Sequence, residues 1–291
     1  RQGTPPALLI DAEIDGIMIG FNMDELIKMP EDSKLRICYG TGYESSFGTG
    51  GRVEETAVNT PMGPTMISGL KDTKVAGGCL DTSIPAIPGT TLLMAGYFRM
   101  INLTDISTGY TRNFPDPTNS DPQLLTSTNN LGDMDLYGVC FQHEYEGWAW
   151  FGSVAGNRSH PDEGTQSLYG FGGLLGNPDG SESGYAYFVG GRAPIEPING
   201  KLGLEFNYGS KHWFSYTVAS DDFAMAKLAT RGNVFEGYYI QGLTKKMNLR
   251  FGVQVYNYDY PFSGWHIAPG DLEMFKLDGT PALAYAFPDQ A

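Results

Sequence analysis

The residues best suited to chemistry stand at few of the spacings that chemistry requires. An acyl-transfer serine would sit in a Gly-x-Ser-x-Gly turn, and the 291-residue chain has none. His143, His160, His212 and His266 lie outside any catalytic signature. No His-Glu-x-x-His, Cys-x-x-Cys or haem-attachment Cys-x-x-Cys-His occurs, and no Gly-x-x-x-x-Gly-Lys cradle for phosphate. Cys38, Cys79 and Cys140 are odd in number and far apart, so they read as strand-face thiols rather than a disulfide framework or a zinc site. Asn177-Pro178-Asp179-Gly180-Ser181-Glu182 offers oxygen donors for Ca²⁺ but lacks the full loop spacing, and reads as a solvated turn. Glu144 and Glu146 share a turn and read as hydrated charges; a carboxylate pair for glycoside hydrolysis is a matter of spatial separation and stays open. The expectation is no catalytic residue, no cofactor and no metal: a protein that is not an enzyme.

One group of side chains does stand out by position. Leu249, Phe251, Val253 and Val255 alternate with Asn248, Arg250, Gln254, Tyr256 and Tyr258, which describes a strand with one apolar and one polar face. Val234 to Gln241 leads into it across the polar turn Gly242 to Lys246, so Asn233 to Asp259 reads as a hairpin. Similar alternation runs through Lys34 to Tyr43, Asp135 to Glu144, Gly184 to Arg192 and Lys201 to Thr217. The polar faces of these strands carry Lys34, Arg36, Arg192, Lys201, Glu205, Glu236, Arg250, Gln254 and Tyr256. If the apolar faces meet lipid, these nine residues line the interior of a barrel and tune its ion selectivity; in a sandwich they are its solvated side.

Composition and rhythm bear on that choice. With 39 Gly, 13% aromatics and few helix formers, the chain reads as all-β, and no apolar run reaches the ~18 residues of a membrane helix. A net charge of −14 argues against nucleic acid and anionic membrane surfaces as partners. The connections alternate: short near 23–33, 81–89, 145–147, 193–200 and 242–246, longer over 44–68, 104–133, 157–183, 219–233 and 259–271. That parity predicts an antiparallel up-and-down transmembrane β-barrel. Tyr43, Tyr97, Trp148, Trp150, Tyr185, Tyr208, Trp213, Tyr239 and Tyr260 near strand ends are read as interfacial girdles, and Leu283, Tyr285, Phe287 as a last strand. About eleven strands and a first residue that is not Met predict a single, N-terminally truncated barrel domain over 1–291, the C-terminal part of a larger one.

Several stretches carry a resemblance. They are Ser33-Lys34-Leu35-Arg36 with Tyr39-Gly40 and Gly42-Tyr43-Glu44, Asn207-Tyr208-Gly209-Ser210-Lys211 with Trp213, Leu228-Ala229-Thr230-Arg231-Gly232, and Tyr258-Asp259-Tyr260 with Ser263-Gly264-Trp265-His266. From about Ile10 onward the chain resembles a bacterial family of outer-membrane barrels catalogued only as domain of unknown function 3373. The resemblance implies a porin-like barrel and no catalytic residue.

The leading expectation is therefore a porin-like channel in the outer membrane of a Gram-negative bacterium, passing ions or small polar solutes. Its partners would be outer-membrane lipid and those solutes, with a homo-oligomer or a periplasmic protein also open. Acidic residues in the longer connections, 33 acids against 19 bases overall, predict a modest cation preference at one mouth. Two alternatives stand beside it: a secreted, soluble β-sandwich that binds or hydrolyses carbohydrate through exposed Trp and Tyr, and a barrel serving as adhesin or scaffold.

Overall fold

The hairpin that dominates the sequence also closes one end of the observed sheet. The structure is a computed structural model describing Leu8 and residues 15–43, 55–60, 63–68, 72–111, 123–162, 173–215, 227–244, 246–260 and 263–264. Twelve strands are described: β1 (Asp15–Asn22), β2 (Lys34–Tyr43), β3 (Glu55–Thr60), β4 (Gly63–Ser68), β5 (Thr73–Thr82), β6 (Thr90–Thr111), β7 (Gln123–Tyr145), β8 (Trp148–Pro161), β9 (Ser183–Ile195), β10 (Gly200–Gly209), β11 (Gly232–Thr244) and β12 (Met247–Tyr258). A five-residue helix, α1 (Met23–Ile27), sits in the first short connection. Strands β3 and β4 form a separate two-stranded ribbon; the other ten form one antiparallel sheet in the order β1-β2-β5-β6-β7-β8-β9-β10-β11-β12.

Strand pairing assigns every side chain to a face. Glu205 lies opposite Glu236 and Gly190, Glu236 opposite Gln254, and Leu204 opposite Gly191 and Gly237. Because neighbours in register share a face, Ile17, Ile37, Tyr97, Val139, Val154, Val189, Leu204, Phe235 and Val253 all lie on one side. These residues are exposed, and we call this the outer face. The opposite, inner face is largely covered. Leu8, Ala155, Ala186, Phe188, Trp213 and Leu228 form one apolar cluster. Val75, Phe98, Met100, Met134, Leu136, Leu174, Leu175 and Phe214 belong to a second, with Cys38 and Cys79 against it. The core is thus built between the inner face and the chain's own connecting segments.

Part of each of the two longest strands lies in what reads as loop. Within the polar stretch 104–133, residues 104–111 and 123–133 extend β6 and β7, which pair from Thr90↔Glu144 to Thr111↔Gln123, and 112–122 lie outside the described residues. Threonine is a good strand residue without being apolar, so hydrophobic alternation misses it. The ribbon β3–β4 lies inside another segment read as loop, 44–68, whereas the expected strand 201–217 stops at Gly209. Of the helical turns expected over 221–230, a 3-10 turn at Lys227–Ala229 is present and 221–226 lie outside the described residues. The expected last strand at 283–287 also lies outside them.

The closed transmembrane barrel is corrected. Strand β1 pairs with β2 and strand β12 with β11, and among the described residues no pairing joins β1 to β12, so the ten-stranded sheet is open. Alternation of short and long connections is as compatible with an open up-and-down meander as with a barrel; closure requires hydrogen bonds between first and last strands, which parity does not supply. No helix among the described residues is long and apolar enough to cross a membrane. The girdle reading also fails at Trp213, which is fully buried and not at an interface.

Candidate functional site

The inner faces of β9 to β12 bring together most of the side chains singled out by pattern. Glu205 on β10 and Glu236 on β11 stand directly across from each other. Like charges so placed repel, and the fold answers with Lys227 from the 3-10 turn preceding β11. Its Nζ donates to Glu205 Oε2 and, at 2.6 Å, to Glu236 Oε2; the three side chains are each 5% exposed or less. Arg250, on β12, donates to Glu236 Oε1 and lies 4.1 Å over the Tyr238 ring. Gln254 donates to Glu236 Oε2 at 3.1 Å, and Tyr256 donates in turn to Gln254 Oε1 at 3.1 Å. Tyr256 and Tyr258 stack with ring centroids 5.7 Å apart and planes 14° from parallel. A chain of fixed polar groups therefore runs from a buried cation to a part-exposed aromatic shelf on the edge strand.

The remaining expected residues lie outside this chain of contacts. Arg192 on β9 is 3.5 Å from Glu144, toward the β7–β8 turn. Lys201 sits exposed at the start of β10. Lys34 and Arg36 are on β2, five strands away from β9 across the sheet, where Arg36 pairs with Asp81 at 2.5 Å. All nine share the inner face, as the alternation implied. They do not line a closed lumen, because the sheet is open. Pattern reading missed Lys227 altogether: it is one lysine in a non-periodic segment, and only the fold of the chain back under the sheet gives it two carboxylates.

Electrostatics favour the charged forms of Glu236 and Lys227. Burial pushes the Glu236 carboxyl upward, but its bonds to Lys227 and Gln254 and the charges of Lys227 and Arg250 outweigh that and hold it below its ordinary 4.5. Burial likewise works against the Lys227 cation, and the two glutamates overcome it, raising the amine above 10.5. Both shifts favour the ion pair at neutral pH. A depressed carboxylate contributes stability above 4.5 that disappears as pH falls through its folded-state value; the raised lysine contributes below 10.5 and loses that only in strong alkali. Urea midpoints should accordingly be flat around neutrality and drop below pH 4.5, and Glu236→Gln should flatten the acid limb. An acid limb of the same depth in Glu236→Gln would place the effect elsewhere.

Other candidate groups are engaged structurally. Glu182 in the Asn177–Glu182 turn pairs with His212 at 3.0 Å and accepts from Asn177 at 2.9 Å. His160 and Arg99 converge on Asp135 with Tyr97. Among the described residues no group of three or more His, Cys, Asp or Glu is placed to hold a metal ion. The Cys140 thiol is pushed up to about 11 by burial, which keeps it protonated and unreactive.

A family model described as "Protein of unknown function (DUF3373)" matches residues 1–282. No curated protein and no solved structure matches the chain. Family membership thus stands, while the outer-membrane and porin-like character attached to the resemblance does not follow from it. The same openness of the sheet overturns what rested on a closed wall: the channel for ions or small polar solutes, the cation-selective mouth, outer-membrane lipid as partner, the outer-membrane location and the barrel adhesin.

Proposed function

We propose that the chain, which belongs to the DUF3373 family of proteins of unknown function, is a binding protein for a polyhydroxylated ligand such as an oligosaccharide. The observation that carries the reading is the continuous row Lys227–Glu236–Gln254–Tyr256–Tyr258, with Arg250 also held on Glu236. A sugar ring has an apolar face of C–H groups and a rim of hydroxyls. Stacked tyrosines meet the first, and planar side chains already locked by mutual hydrogen bonds meet the second at little cost in ordering. Lys227, Arg250, Glu205 and Glu236 sum to zero charge (two positive, two negative), which suits a neutral ligand.

The same cluster argues for binding over hydrolysis. Glu205 and Glu236 share one ammonium group, which brings them within the ~5 Å range of a glycosidase pair. Such a pair needs one carboxyl kept protonated by a raised pKa. Lys227 and Arg250 do the reverse to Glu236.

Calorimetric titration with neutral oligosaccharides (cello-, xylo-, manno- and chito-series) and with oligogalacturonate tests this. Saturable binding to a neutral series is expected, with Tyr256→Ala and Gln254→Ala each weakening it tenfold or more and no reducing ends released. Absence of binding to every series, or wild-type affinity in both variants, would overturn the reading; release of reducing ends would overturn its non-hydrolytic half.

A further inference from the structure

The outer face poses a separate physical problem. Ile17 is 73% exposed, Val253 69%, Leu204 66%, Phe251 62%, Val154 57% and Phe235 56%, and they are drawn from strands spread across the whole sheet. Some twenty large apolar side chains on this face are about half exposed. At ~100 Å² each, half of what an aromatic buries, they offer well over 1,000 Å² of apolar surface. A monomer's largest apolar patch is about 300–600 Å², and a stable interface needs about 800 Å² per partner.

We propose that this face packs against the same face of a second copy of the chain, making between two molecules the two-layered sandwich that one molecule lacks. A sheet with one covered and one uncovered apolar face is half of a layered domain. Charge is distributed as such an interface requires. Asp15, Lys74, Arg99, Asp133, Asp135 and Arg158 are the charged residues at outer-face register positions, and all lie toward the long-connection ends of their strands. Among the described residues, the face from there to the short turns carries no Asp, Glu, Lys or Arg. A broad apolar area with its charge confined to one margin matches the charge-depleted centre of permanent homodimers, and an area without charge has nothing with which to select a partner of complementary sign. The face also has relief. Gly152 leaves an open apolar groove of about 460 Å³ bounded on this side by Leu93, Val139, Phe141, Val154, Tyr187 and Val189, room for a large side chain of the facing sheet. A two-fold axis would present the same groove and the same projecting rings from both copies.

The test is the mass of the full chain in detergent-free buffer by sedimentation velocity at micromolar concentration. The expected result is a dimer of twice 31.7 kDa. Val154→Glu and, independently, Leu204→Lys should shift it to monomer with the far-ultraviolet sheet signal retained, whereas Gln254→Ala on the inner face should leave it dimeric. Because the wild-type mass is read first, the proposal stands or falls even if a charged variant fails to fold. A monodisperse wild-type monomer, a monomer kept in solution only by bound lipid or detergent, or dimers persisting in both folded variants would overturn it. Sugar binding is read on the other face by Tyr256→Ala, so either proposal can fail without the other.

Discussion

Replacing Lys227 with Met is expected to destabilise the protein by ~3–5 kcal/mol, the usual cost of breaking a buried ion pair from one side. The side chain is 4% exposed and is the ammonium group between Glu205 and Glu236, themselves 3% and 5% exposed. Methionine nearly matches its length, so the loss is chiefly electrostatic: two carboxylates remain face to face in register, only one of them still beside Arg250. Adding Glu205→Gln to Lys227→Met should recover a substantial part of the loss, because the repelling charge goes while the shape stays. Urea-unfolding midpoints of the three variants measure this. If Lys227→Met cost under 1 kcal/mol, the cluster would be behaving as a solvated surface pair, and its role as a fixed hydrogen-bonding platform would fail with it.

The second large effect belongs to Trp213. Its ring is fully buried in the cluster with Leu8, Ala155, Ala186, Phe188 and Leu228. Nε1 donates to the Leu228 carbonyl at 2.8 Å, and its own carbonyl accepts from Arg231 Nε at 2.9 Å. Trp213 therefore ties the segment after β10 to the segment before β11, the one that delivers Lys227. Trp213→Ala should cost ~3–5 kcal/mol through the cavity it leaves. Trp213→Phe should cost ~1–3 kcal/mol, mostly for the unpaired Leu228 carbonyl. Thermal and urea unfolding check both values. A near-neutral Trp213→Ala would mean that the connecting segments do not form the core of the inner face.

What the sequence determined by itself was the two-faced character of the strands. Alternation placed Leu249, Phe251, Val253 and Val255 on one face and Arg250, Gln254 and Tyr256 on the other, and the observed register agrees residue by residue. The turns at Asn199-Gly200 and Glu146-Gly147 were legible too, since Asn199, Glu146 and Gly147 take positive φ in tight connections. These features are local: side-chain direction on a strand and backbone geometry in a turn depend on a few consecutive residues. Polar strands such as 104–111 and 123–129 escaped because their pairing, not their hydrophobicity, makes them strands.

Only the tertiary structure decided which elements are edges, what covers each face, and where Lys227 and Trp213 go. Closure was inferred from the parity of the connections, yet an open meander and a closed barrel share that parity and differ in one pairing, β1 with β12, between segments more than 200 residues apart. Lys227 sits in a segment with no period to read, and Trp213 in one whose apparent strand alternation outruns the strand, which ends at Gly209. Their partners, Glu205, Glu236, Leu228 and Arg231, are chosen by the chain folding back over its own sheet. Contacts of that kind are set by the geometry of the whole sheet, and no local pattern in the residues encodes them.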